Sequence, residues 1–178
     1  MKKIKNIVLI FFILLLISIF FNNISDYVLN EDDNYNNKEN NKKIEVEYYS
    51  SIDGDTAKFI LNEKIIKVRF LGIDAPETPE SPGEEGFFWE EASDFTKEKL
   101  ENANKIEIEY DENALQKDKY ERDLTWVWVD NKLLQEELVS NGLAKTYMLQ
   151  ENYKYANILK QAEKYAKNKN LGIWNIKE

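Results

Sequence analysis

Apolar positions along this chain fall into three regimes. Residues 7–21 form an unbroken block in which Ser18 alone is polar. Residues 22–43 show no repeating apolar face and are dominated by Asn, Asp, Glu and Lys. From Ile44 onward, short stretches with the period of a strand or a helix alternate with turn residues. Strands are predicted at 44–49, 56–61 and 64–71, the last two joined by a tight hairpin at Asn62-Glu63. Helical spacing over 87–103 puts Phe88, Ala92, Phe95 and Leu100 on one face. The alternation I-E-I-E-Y over 105–110 predicts a half-buried strand, and 124–129 a further strand turned at Asp130-Asn131. A short helix at 133–140 is stopped by Asn141-Gly142. A strand at 143–148 and a long helix at 153–167 follow, the helix with Tyr155, Ile158, Leu159, Ala162 and Tyr165 inward. Five short strands with helices inserted late predict an α+β fold, mainly a β barrel: a five-stranded OB-type barrel with three helices.

The apolar block is a targeting segment. Lys2, Lys3 and Lys5 precede it, and its 15 residues span roughly 22 Å as a helix, short of the ~30 Å hydrocarbon core. It is read either as an uncleaved N-terminal membrane anchor or as a cleaved signal peptide, with no A-x-A-like site behind it favouring the anchor. Either way the rest of the chain is expected outside the cytoplasm, anchored to the cell membrane or secreted. The organisation is thus a signal or anchor over 1–21, a solvated polar linker over 22–43 and one folded domain over 44–178.

Composition narrows the chemistry. The chain has no cysteine and no histidine, which removes thiolate chemistry, the commonest general base and the commonest zinc ligand. Catalysis is left to carboxylates, Lys, Arg, Tyr or hydroxyls, with an oxygen-loving cation such as Ca²⁺ or Mg²⁺. Residues 44–178 hold 18 Lys+Arg against 28 Asp+Glu, a net charge of −10, which argues against indiscriminate binding to nucleic acid backbones.

Two motifs stand out against that background. D-G-D-T at 53–56 lies one hairpin upstream of V-R-F-L-G-I-D-A-P-E at 68–77, where a strand delivers Arg69, Asp74 and Glu77 to a loop. If the hairpin folds back, Asp55 faces Asp74 and offers a divalent cation two hard oxygen ligands, aided by a carbonyl near Ala75. Glu77, beyond the rigid Ala75-Pro76 bend, suits a general base, and Arg69 a bidentate phosphate contact. Only two arginines, Arg69 and Arg122, accompany the lysines of this chain, which points to a need for the planar fork at both places. Each signal also has a plain reading. D-G-D-T alone is an ordinary turn, lacking the spacing of an EF-hand loop. Either arginine alone could belong to a simple ion pair, and Tyr120 and Tyr147 are as readily packing residues.

The blocks D-G-D-T, R-F-L-G-I-D-A-P-E, E-A-S-D-F-T-K, K-I-E-I-E-Y-D, D-K-Y-E-R, G-L-A-K and L-G-I-W, in this order over 43–175, closely resemble the staphylococcal nuclease (thermonuclease) family. That resemblance implies a five-stranded OB barrel with three helices and a Ca²⁺-dependent phosphodiesterase that cuts DNA and RNA, single- or double-stranded, to leave 3′-phosphate ends. It implies Ca²⁺ on Asp55, Asp74 and the carbonyl of Ala75, Glu77 as general base, and Arg69 and Arg122 on the phosphate. It implies Asp53 as a supporting carboxylate, Lys119, Tyr120 and Tyr147 around the nucleotide, and a monomer as the working unit.

The family's usual Gly before the second arginine is Glu121 here, and Asp123 follows. Both acids are expected to compete with phosphate for the Arg122 fork. The loop after Glu77 reads P-E-S-P-G-E-E-G where lysines are common, so substrate binding is expected to be weaker and more salt-tolerant than in basic relatives. Two further readings remain at this point: a non-catalytic binding module on the same barrel, and a glycosidase built on a carboxylate pair. Two arginines beside the carboxylates favour an anionic phosphate over a neutral sugar.

Overall fold

A computed structural model describes residues 42–77 and 87–175. The N-terminal apolar block, the linker up to residue 41 and the acidic loop after Glu77 lie outside them. Among the described residues no helix is long and apolar enough to cross a membrane.

Five strands close into a barrel. They are β1 (Ile44–Ser51), β2 (Thr56–Leu61), β3 (Lys64–Phe70), β5 (Ile106–Tyr110) and β6 (Asp123–Val129). β1 pairs antiparallel with both β2 and β5, β2 with β3, and β5 with β6. Parallel pairing of β3 with β6 closes the ring, with Val68 opposite Asp123, Arg69 opposite Leu124 and Phe70 opposite Thr125. Closure removes the sheet edges that would otherwise recruit a foreign strand. The closing register also brings Arg69 and the residue just before β6, Arg122, to one end of the barrel.

Two of the turns use the left-handed backbone that tight hairpins require. Asn62 and Glu63 have φ of 50° and 64°, and Asp130 and Asn131 have φ of 48° and 68°, matching the twist of the strands they join. The barrel interior is filled by Phe59, Val68, Phe70, Ile108 and Val127, all nearly inaccessible, while Trp126, equally buried, packs on the opposite face of its strand against Tyr153 and Tyr155. Three helices pack outside it: α1 (Trp89–Glu101), α2 (Leu134–Ser140) and α3 (Ala156–Lys169). Two short strands, β4 (Ile73–Asp74) and β8 (Lys145–Thr146), pair with each other, and β7 (Lys132–Leu133) extends β6.

The barrel and the three helices agree with expectation, while the buried helix faces differ in detail. α1 buries Ala92, Thr96 and Leu100, with Phe88 outside the helix at a left-handed φ of 68°. Thr96 turns inward because its hydroxyl donates to Gly54 O at 2.7 Å. α3 buries Ala156, Leu159, Ala162 and Ala166, whereas Ile158 and Tyr165 are exposed and Tyr155 precedes the helix. The buried set repeats every three to four residues and is mostly alanine. This face lets α2 and α3 approach closely, and the bulky residues one step around the helix are left in solvent. The strand expected over 143–148 is only the two residues of β8.

The C-terminal turn is locked to the loop after α2. Gly142 (φ 69°) and Gly172 (φ 48°) meet backbone to backbone, and Ile173 N donates to Gly142 O at 2.9 Å. A Cβ on Gly142 would lie 2.2 Å from Leu171 O, and one on Gly172 would lie 2.1 Å from Gly142 O.

Candidate active site

The site forms where the D-G-D-T turn, the end of β3 and the β4–β8 pair converge. Asp53 Oδ1 accepts the Asp55 N–H at 3.0 Å, a side-chain turn of the kind aspartate favours. Gly54 has no room for a side chain, since a Cβ would lie 2.7 Å from Ala75 Cβ and 2.8 Å from Ala92 Cβ. The turn is therefore wedged between the loop after β4 and α1. Phe70 N donates to Asp55 O at 2.8 Å and ties the turn to β3.

Asp55 is only 2% exposed. Its Oδ2 accepts the Ala75 N–H at 2.7 Å, and its Oδ1 accepts the Thr56 hydroxyl at 3.1 Å while lying 3.0 Å from Arg69 Nε. Asp74 places Oδ1 3.0 Å from Arg69 Nη2 and Oδ2 3.3 Å from Lys145 Nζ. One guanidinium thus joins the two carboxylates expected to face each other. Arg69 Nη1 donates to Phe70 O at 3.0 Å and to Ile73 O at 2.7 Å. The two-pronged approach of Arg69 to a phosphate is not open in this arrangement, because its edges are already held by carbonyls and carboxylates.

Burial pushes the Asp55 carboxyl up to about 7, against the pull of Arg69 and the Ala75 N–H, and nearby Asp53 adds to the rise. One guanidinium does not offset the loss of solvation, so this carboxylate stands to gain from a further cation. The donors are all oxygens, and the chain contains neither cysteine nor histidine. That set fits a hard divalent cation. No three acidic side chains converge as a metal-binding group among the described residues, so backbone carbonyl and water would have to complete the shell.

Glu77 is exposed and lines a cavity of about 370 Å³ with Asp74, Ala75, Pro76, Lys145 and Ile173. Arg122 lines a second cavity of about 360 Å³ together with Arg69, Phe70, Leu124 and Tyr147. Arg122 Nε donates to Asp118 Oδ2 at 2.6 Å, and its own N–H and that of Tyr120 are accepted by Asp118 Oδ1 at 3.0 and 2.8 Å. Burial raises the Asp118 carboxyl, but these bonds outweigh it and hold the group below the usual carboxylate range. Among the described residues neither Nη group of Arg122 has a hydrogen-bond or ion-pair partner, which leaves that edge of the guanidinium unspent beside the cavity it lines.

The flanking acids do not behave as expected. Asp123 turns away, accepting the Tyr110 hydroxyl at 2.8 Å with Lys117 Nζ at 3.6 Å. Glu121 is exposed with a left-handed φ of 60°. The acid that engages Arg122 is Asp118, four residues earlier across a tight turn. Tyr120 and Lys119 stand on the exposed rim, with the Arg122 and Lys119 cations 5.5 and 4.8 Å from the Tyr120 ring. Tyr147, half-exposed, lines the cavity itself.

The sequence profile described as "Staphylococcal nuclease homologue" matches residues 67–176. The chain belongs to that family. Among similar proteins, the thermonuclease of Staphylococcus hyicus is 39% identical over 126 residues, covering 70% of this chain and 72% of the relative. Endonuclease YncB of Bacillus subtilis (strain 168) is 39% identical over 139 residues, 78% of this chain and 65% of the relative. The SPbeta prophage-derived endonuclease YokF of the same organism is 38% identical over 133 residues, but the match spans only 44% of its length.

Within this member of the nuclease family, the site includes residues that motif reading passed over. Asp118 was detectable as an acid four residues before an arginine, and Lys145 as the last residue of G-L-A-K. Thr96 carried no signal, since a threonine on a helix face says nothing of a carbonyl 42 residues away.

Proposed function

We propose that this chain is a Ca²⁺-dependent extracytoplasmic nuclease that hydrolyses phosphodiester bonds of DNA and RNA and leaves 3′-phosphate ends. The observation that carries the reading is the pairing of Asp55 and Asp74 through Arg69, with Glu77 in the cavity on one side and the open edge of Arg122 on the other. Asp55, Asp74 and the carbonyl of Ala75 would hold the cation, whose charge would offset the negative charge that develops on the phosphoryl oxygens. Glu77 takes a proton from the attacking water. Arg122 presents its Nη edge to the phosphoryl oxygens, and Arg69 keeps the two aspartates together. Tyr147 offers a flat face beside Arg122 for a sugar or base, with Lys119 and Tyr120 at the rim.

An N-terminal segment of three lysines and an apolar block supports export, with membrane attachment if it stays uncleaved and a 44–178 domain beyond the tether. The test is cleavage of single-stranded DNA with Ca²⁺ and then with a chelator, and analysis of the ends. Cleavage that needs Ca²⁺ and yields 3′-phosphates is expected. A folded protein that binds oligonucleotides without turnover would instead support the binding-module reading.

A further inference from the structure

Lys145 has no part in the reading above, yet it touches Asp74, one of the paired carboxylates. It sits on β8 directly opposite Asp74 of β4, with Nζ 3.3 Å from Asp74 Oδ2. The other oxygen of Asp74 is taken by Arg69. Both oxygens of Asp74 are therefore faced by cations that belong to the protein. The base of the lysine is fixed: Thr146 N and Oγ1 both donate to Glu163 Oε1, at 2.8 and 3.0 Å, and Tyr147 N donates to Gly72 O at 2.9 Å. Its side chain is half-exposed, so the ammonium is the movable end of a rigid mount. Among the described residues it is also the one cation lining the cavity that holds Glu77.

We propose that Lys145 is a resident counter-cation that holds Asp74 until a divalent cation arrives, and then turns to the substrate phosphate on the Glu77 side. This rests on the cation site proposed above. A divalent ion entering at Asp74 competes with the ammonium for Oδ2 and repels it. Displaced on its flexible stem, the ammonium remains at the mouth of the Glu77 cavity, where a phosphodiester approaching that carboxylate must bring its anionic oxygens. Lys145 thus lowers cation affinity in the free protein and raises nucleic acid affinity in the loaded one.

The experiment compares wild type, Lys145→Gln and Lys145→Arg by calorimetric titration of the free protein with Ca²⁺. A single-stranded oligonucleotide is then titrated with and without Ca²⁺, all in a Glu77→Gln background that prevents cleavage. Loss of an exposed competing ion pair is expected to tighten Ca²⁺ about two- to fivefold in Lys145→Gln, and Lys145→Arg should stay near wild type. Oligonucleotide binding by Lys145→Gln should weaken only when Ca²⁺ is present, with the salt dependence of log K reduced by about one phosphate contact. Equal or weaker Ca²⁺ binding by Lys145→Gln overturns the proposal, as does an oligonucleotide defect of the same size without Ca²⁺. If wild type itself takes up no Ca²⁺, the cation site fails first and the role of Lys145 falls with it.

Discussion

Asp118 grips Arg122 from one side only, bonding Nε at 2.6 Å and leaving the two terminal nitrogens of the guanidinium open. The same carboxylate accepts two backbone N–H groups of its own loop. A single acid thereby shapes the loop and aims the arginine it carries.

Replacing Asp118 with Asn should separate those two roles. The amide keeps one acceptor for the loop but no charge for the arginine. Turnover on single-stranded DNA is expected to fall about tenfold or more through misplacement of a phosphate-binding group, with stability lowered by only about 1 kcal/mol. Unchanged turnover would mean that Arg122 needs no such support.

The acidity of Asp118 sets a pH window for this pair. Its carboxyl is held below the ordinary value of 3.8, so the ionised form is favoured by folding. That contribution is complete above pH ~4 and is lost as pH falls through the lowered value. The Arg122 Nε–H resonance should stay constant from neutral pH down to about pH 4 and shift only below it. A change nearer pH 6 would contradict the assignment.

Glu121 occupies a left-handed conformation that costs a non-glycine residue about 1–2 kcal/mol. Glycine recovers this strain but loses about 0.5–1 kcal/mol to backbone entropy. Glu121→Gly is therefore expected to stabilise the protein by about 0.5–1 kcal/mol in urea melts, and Glu121→Ala should not. Turnover should be similar in both, because the Glu121 carboxylate does not touch Arg122. Equal acceleration by both substitutions would show that the carboxylate competes with phosphate after all.

Glu77→Gln removes a proton acceptor but no proposed cation ligand. Turnover should drop by two to four orders of magnitude, the usual worth of general-base catalysis. Ca²⁺ uptake measured by calorimetry should be nearly unchanged. Normal turnover would remove Glu77 from the reaction.

Glu163 anchors β8 through two bonds from Thr146 and one from Lys167 at 2.8 Å. Burial pushes its carboxyl up, but Lys167 and Thr146 outweigh that and hold it below its ordinary 4.5. Its stabilisation is therefore present above pH ~4.5 and disappears on acidification through the lowered value. Glu163→Gln should cost about 1–2 kcal/mol at neutral pH and progressively less below pH 4. A constant difference down to pH 3 would rule out the charged bond as its source.

Elements with a strong local period were legible in the sequence. β2 and the I-E-I-E-Y strand stand at their expected positions, but the latter is not half-buried, since Glu107 and Glu109 are buried along with Ile106 and Ile108; the hairpins at Asn62-Glu63 and Asp130-Asn131 adopt the backbone their position demanded. The convergence of Asp55, Asp74 and Arg69 was visible only as motif order, since nothing local states that Gly54 must touch Ala75 and Ala92. β4 was invisible, and β8 shorter than the strand expected over 143–148, for a different reason. Two residues have no period, and each becomes a strand only because the other is there. The inward face of α3 differs from expectation because bulk does not mark burial there: close helix packing selects alanine. The partner of Arg122 is not a sequence neighbour because the turn over 118–122, closed by Asp118 N donating to Arg122 O at 3.0 Å, brings Asp118 back onto it.

The backbone contact of Gly142 with Gly172 bears on how this protein can vary. Each position excludes a side chain because of main-chain atoms, the Leu171–Gly172 peptide for Gly142 and the Gly142 carbonyl for Gly172, so a change at one cannot be compensated by a change at the other. Mutational drift is thereby blocked at two sites, 30 residues apart, that carry no reacting group. A library that randomised the exposed face of α3 at Ile158 and Tyr165 would yield many folded variants. One that randomised either glycine would yield almost none.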